Sequence, residues 1–166
     1  MKLIGAVIII SILLESIASQ LIVTNTFLLL PLFTIVSLII IYPYFNNNNQ
    51  SFLLVSGATG LLYDIVFTNA MFLNGLVFLV LGFIVIITNE SLSNNKLNVL
   101  IMTALTIVAY RIVTYLTLLL VDYKVFNFNE LTSSITSSIL LNLIYSFILF
   151  CTANYISKKY HILKID

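Results

Sequence analysis

The chain alternates long apolar runs with short polar breaks. Six runs stand out: Leu3–Val23, Phe27–Phe45, Phe52–Thr68, Ala70–Thr88, Leu97–Val121 and Ile135–Ile156. A helix needs roughly 20 apolar residues to cross a hydrocarbon core about 30 Å thick, and each run is close to that length. The breaks are Thr24–Thr26, Asn46–Gln50, Asn89–Lys96 and Asp122–Glu130. Pro31 opens the second run and Pro43 helps to close it, where a residue without an N–H is tolerated. The Asn46–Gln50 run reads as a solvated turn. The third and fourth runs form one apolar block of 37 residues, Phe52–Thr88. As a single helix it would be ~55 Å long, nearly twice the core thickness, so a hairpin near Thr68–Asn74 is expected. No loop is long enough to fold alone, and no convincing internal repeat is visible. The expected architecture is one all-α membrane domain over residues 1–166, with six transmembrane helices in a compact bundle.

The basic residues orient this arrangement. Six spans place Lys2, Lys96, Lys158, Lys159 and Lys164 on one side and Lys124 on the other. By the positive-inside rule both termini are then cytoplasmic, whereas five spans would put the basic tail outside. The N-terminus also loosely imitates a secretory signal peptide, with Lys2, the run Leu3–Leu14 and Ser16-x-Ala18. Glu15 fits poorly beside a cleavage site, and the apolar run resumes at Leu21, so an uncleaved first span is the simpler reading.

Composition narrows the function. The chain is 61% hydrophobic and 8% charged, against about 25% charged in soluble domains. A net charge of +1 argues against a nucleic-acid binder, which would need a basic face. One cysteine, Cys151, excludes a disulfide framework or a thiolate metal cluster. His161 is the one histidine and lies beyond the last run, which leaves little for a triad or a metal centre. Ser93-Asn-Asn-Lys96 matches the S-x-x-K pattern of penicillin-binding enzymes, but in a loop expected in the cytoplasm. The Gly57–Gly60 stretch "GATG" lacks the spacing of a phosphate loop. Cys151 and the three Met residues read as packing. Tyr42, Tyr44, Tyr123, Tyr155 and Tyr160 lie near run ends, where an aromatic belt is expected. No enzyme, cofactor or metal site is expected.

Three charges interrupt the runs: Glu15 in the first, Asp64 in the third and Arg111 in the fifth. At 1.5 Å per residue they lie ~18, ~18 and ~21 Å along helices that run in the same direction, and so share one depth. An unpaired charge there costs ~2.5–3.5 kcal/mol on insertion scales. Gly57, Gly60 and Asp64 share one helix face, and small residues let a neighbouring helix approach closely, so Asp64 should face protein. Ser134, Ser138, Asn142 and Ser146 form a polar stripe at intervals of four in the last run. The expected role of Glu15, Gly57, Gly60, Asp64, Arg111 and Asn142 is a structural polar layer, with Arg111 near Asp64 or Glu15. Two acids and one base leave one acid to be protonated or turned toward polar side chains. The competing readings are a small-ligand site and an ion or proton path, although a relay would string its groups along the membrane normal.

"GLLYDIVFTNAMFLNGLVFLVLGFI", Gly60 to Ile84, resembles the central signature of the MreD family of bacterial rod shape-determining membrane proteins, Gly-Leu-x-x-Asp followed by a turn and another helix. Glu15–Ser16 in the first run, Leu140–Asn142 in the last and the short basic tail agree with it. Family members often carry a glycine about eight residues after the aspartate; this chain has Phe72 there, with Gly75 as the nearest substitute. The resemblance implies a non-enzymatic scaffold of the cell-elongation complex in the bacterial plasma membrane, supporting peptidoglycan synthesis. The implied partners are an MreC-like bitopic protein and, in the wider assembly, a SEDS glycosyltransferase, a penicillin-binding protein and the actin-like MreB. It also implies a fold similar to the six-helix substrate-binding subunits of energy-coupling-factor vitamin transporters. The functional alternative is a vitamin- or ion-binding subunit of a transporter.

Overall fold

The computed structural model describes residues 2–22, 30–46, 48–68, 72–91, 95–123 and 125–160. Among these residues there are six α-helices and no strand: α1 Lys2–Ile22, α2 Phe33–Ile41, α3 Asn49–Phe67, α4 Leu73–Ser91, α5 Lys96–Leu120 and α6 Phe128–Lys159. A 3-10 turn over Tyr42–Phe45 continues α2. By length and composition α1, α3, α5 and α6 can each cross a membrane, while Phe33–Phe45 and Leu73–Asn89 are shorter apolar helices.

The second run departs most from expectation. Its helix starts only at Phe33. Pro31 has no N–H to give and disfavours helical geometry in the residue before it, so Leu30–Leu32 is not helical and the helix forms after the proline. At the other end Pro43 sits in the first turn of the 3-10 segment, and Asn46 closes it in the left-handed conformation, φ 51°. The result is a helix of nine residues, ~14 Å long, rather than a full span. Every residue of α2 is buried, and it touches all five other helices. A sequence such as "FTIVSLIII", apolar on all sides, requires that surrounding. Around it, α3 pairs with α4 and α5 with α6 as antiparallel hairpins. Outward faces carry exposed Ile9, Leu13, Ile65, Leu76, Phe83 and Ile144, a surface made for lipid rather than water.

Other boundaries also move. Asn49 and Gln50 are not turn residues but the first turn of α3, which Asn48 caps by accepting the Ser51 N–H at 3.1 Å. Asn129 and Glu130, expected in a loop, are helical because α6 begins at Phe128. The Thr24–Thr26 break lies outside the described residues. The chain reverses between Phe67 and Leu73, and there Phe72 has φ 69°. Gly75 does not supply that conformation: it lies inside α4, and no described glycine has positive φ. The absence of a side chain at Gly75 instead makes room for Leu61, whose Cδ2 would lie 2.8 Å from an added Cβ.

Candidate functional site

A helix that begins inside a bilayer exposes N–H groups with no partner, and water is not there to bond them. Both α2 and α4 begin among buried groups, Thr34 and Asn74 being buried, and each receives a buried carboxylate from another helix. Glu15 of α1 accepts the Thr34 N–H through Oε2 at 2.7 Å, and the Tyr63 hydroxyl through Oε1 at 2.8 Å. The Thr34 hydroxyl stands beside this carboxylate but makes no hydrogen bond of good geometry. Asp64 of α3 accepts the Asn74 N–H at 3.0 Å and the Gly75 N–H at 3.4 Å through Oδ2. Its Oδ1 takes the Asn74 amide and the Thr68 hydroxyl, each at 2.8 Å. A negative group at a helix N-terminus also meets the positive end of the helix dipole.

Gly60 makes the Asp64 contact possible. A Cβ built there would meet the Asn74 carbonyl oxygen, and would lie 2.8 Å from Phe78 Cβ. Backbone therefore touches backbone at Gly60, and one turn later Asp64 is close enough to bond the first N–H groups of α4. Gly57 opposes the Leu79 methyls at 3.1 Å, a looser fit.

Asn142 of α6 completes the start of α2. Its Oδ1 accepts the Leu32 N–H at 2.8 Å, and its Nδ2 donates to the Leu30 carbonyl at 3.0 Å and to the Ser138 carbonyl of its own helix at 2.6 Å. The expected stripe is buried at Ser138, Asn142 and Ser146 and half-buried at Ser134. Ser146 faces Thr103 of α5 at 2.7 Å.

Arg111 makes its hydrogen bonds to a neutral partner. Its Nε and Nη2 both donate to Ser138 Oγ, at 2.9 and 2.7 Å, and its guanidinium lies 5.7 Å from the Tyr110 ring centre. Neither acid lies within the 4.0 Å of an ion pair; Glu15 acts on it only through space. The carboxylates are instead engaged by the first N–H groups of α2 and α4 and by neighbouring side chains. Sequence reasoning missed Tyr63, Thr68 and Asn74. Asn74 is the centre of the layer, bonding Asp64 on one side and, at a long 3.5 Å, the Tyr110 hydroxyl on the other. An asparagine in the first turn of an otherwise apolar helix was the available signal.

Among the described residues no cluster of three His, Cys, Asp or Glu side chains could hold a metal ion. A groove of about 230 Å³ on the α3–α4 surface is lined by Gly57, Leu61, Phe72, Gly75, Leu76 and Leu79 and is wholly apolar. The arrangement joins helices through hydrogen bonds. No curated protein and no solved structure matches the chain. The family model for the rod shape-determining protein MreD matches residues 1–158 of the 166, and the chain belongs to that family.

Proposed function

We propose that this protein is a non-enzymatic scaffold of the cell-elongation complex, binding an MreC-like bitopic protein and supporting shape-directed peptidoglycan synthesis. Family membership implies a role in rod shape determination, and the MreD family is not a known enzyme family. The observation that carries the scaffold reading is that the acids and the amide of the polar layer are bonded within the chain. Glu15, Asp64 and Asn142 are all bonded to the chain's own helix ends. A transport subunit would need a roomy site with several convergent polar groups, and the 230 Å³ groove has none. The wider partners on this reading are a SEDS glycosyltransferase, a penicillin-binding protein and MreB.

The same reading takes the six apolar runs as crossing the bacterial plasma membrane, the second with α2 as only part of its path, with both termini cytoplasmic, in a bundle like that of the energy-coupling-factor substrate-binding subunits. The lysine asymmetry and the central position of α2 support it. The deciding experiment is affinity purification from native membranes in mild detergent. Co-purification of an MreC-like protein is expected. Recovery of a bound vitamin without such a partner would overturn the scaffold reading in favour of transport. Reporter fusions at the C-terminus and in residues 123–129 test the topology, and an extracytoplasmic C-terminus refutes it.

A further inference from the structure

We propose that the exposed apolar side chains at the tip between α5 and α6, those of Val121, Tyr123, Val125 and Phe126, are a lipid anchor seated in the headgroup layer of the leaflet opposite the C-terminal end of α6. This rests on α5 and α6 crossing the bilayer, and on neither the partner nor which side faces the cytoplasm.

The tip is built rather than left loose. The hydroxyl of buried Tyr115 accepts the Asn127 N–H at 2.6 Å and donates to the Asn127 carbonyl at 3.1 Å. Its ring meets Phe126 edge-on, 6.2 Å between centres. On the α5 side the N–H groups of Val121, Asp122 and Tyr123 return to the carbonyls of Thr117, Leu119 and Leu118. Fixed at both ends, the turn nevertheless points its apolar side chains outward: Val125 is 87% exposed and Phe126 64%. Leu120, Val121, Tyr123 and Phe128 are exposed beside them. Order that presents apolar groups instead of hiding them needs a partner that is itself apolar.

Length and continuity identify that partner as lipid. The 32 residues of α6 give ~48 Å. That matches the ~40–45 Å of a bilayer with its headgroups, not the ~30 Å core. With Lys158 and Lys159 in the last turn of α6 at one headgroup layer, Phe128 reaches the other. Along α5, Ile112, Leu116 and Leu120 form an exposed stripe at intervals of four that runs straight into Val121 and the tip. Whatever covers the stripe covers the tip, and a stripe of this kind on an outer helix is covered by acyl chains. The first turns of α6 agree. The hydroxyls of Thr132, Ser133 and Thr136 bond carbonyls of their own helix, so they need little water. Tyrosine with other aromatic groups between apolar and polar residues is the composition of a membrane interface.

The chain contains no tryptophan, so Phe126→Trp in the full-length protein places a single emitter at the tip. In phospholipid vesicles the expected emission is blue-shifted, weakly quenched by acrylamide, and reduced by more than half when the lipids are brominated near the headgroup. Water-like emission, quenched by acrylamide and indifferent to bromine, would overturn the anchor. So would emission that becomes shielded only after membrane proteins are added back, since the tip would then dock protein. Tyr123→Trp gives an independent reading should Phe126→Trp fail to fold. Adding Tyr115→Phe to either variant should weaken bromine quenching; unchanged quenching would refute the claim that Tyr115 holds the tip in place.

Discussion

Replacing Asp64 by leucine removes the acceptor that four donors share, with little change in volume. The consequences of that loss differ among the donors. The Thr68 hydroxyl already has a second, longer contact with the Asp64 carbonyl at 3.4 Å, and the Asn74 amide can rotate. The Asn74 and Gly75 N–H groups at the start of α4 have no such recourse. An unsatisfied buried donor costs about 1–3 kcal/mol. Losing a charge at a helix N-terminus adds up to about 1 kcal/mol. Relief of the carboxylate's desolvation offsets part of this, so Asp64→Leu should destabilise by about 2–4 kcal/mol. Arg111→Leu removes bonds to one hydroxyl, and Ser138 keeps its own bond to the Ser134 carbonyl at 2.7 Å. Side-chain hydrogen bonds of this kind in membranes are worth ~0.6 kcal/mol on average, so a loss near 1 kcal/mol is expected. A buried ion pair would behave otherwise: either change would cost ~3–5 kcal/mol, and the double variant would show strong coupling. The assay is unfolding in mixed micelles by SDS titration, for both single variants and the double. Equal losses for the two singles, or coupling above ~1 kcal/mol, would refute helix capping as the role of Asp64.

Three further outcomes are expected. Gly60→Ala should separate α3 from α4 and lower the melting temperature strongly, because the new methyl meets backbone and not a flexible side chain; Gly57→Ala, facing Leu79, should be mild by the same melt. Phe72→Gly should stabilise by up to ~1 kcal/mol, since a left-handed residue bearing a Cβ is strained by roughly 1–2 kcal/mol and glycine returns part of that as chain entropy; a lower melting temperature would contradict it. Asn142→Leu should cost about 1–3 kcal/mol in the SDS titration, as it strands the buried Leu32 N–H.

The periodic information was legible in the sequence: the apolar runs, the shared face of Gly57, Gly60 and Asp64, and the seam at Ser138, Asn142 and Ser146. The partners of the charges were not. Pairing Arg111 with an acid follows from counting side chains, but the groups that engage Glu15 and Asp64 are backbone N–H groups, which every residue but proline carries. They become special only where a helix starts within the apolar layer. Pro31 signalled such a start, and its consequence, that a buried helix beginning there must find acceptors, could have been drawn. Phe72 was conspicuous as a departure from the family's glycine, yet only the turn geometry shows that the backbone there is left-handed.

The Leu32–Asn142 bond has a bearing on how the chain is made. The two residues are 110 positions apart, and at ~5–20 residues per second the ribosome needs about 6–20 s to travel between them. During that interval α2 is too short to hold a place in lipid by itself, and the start of its backbone has no acceptor from α6. The Glu15 contact with α1 is available as soon as α2 is made, but the Leu32 bond can form only once α6 arrives. A chain cut short before residue 142 therefore loses an acceptor at the start of its second helix as well as its last helix.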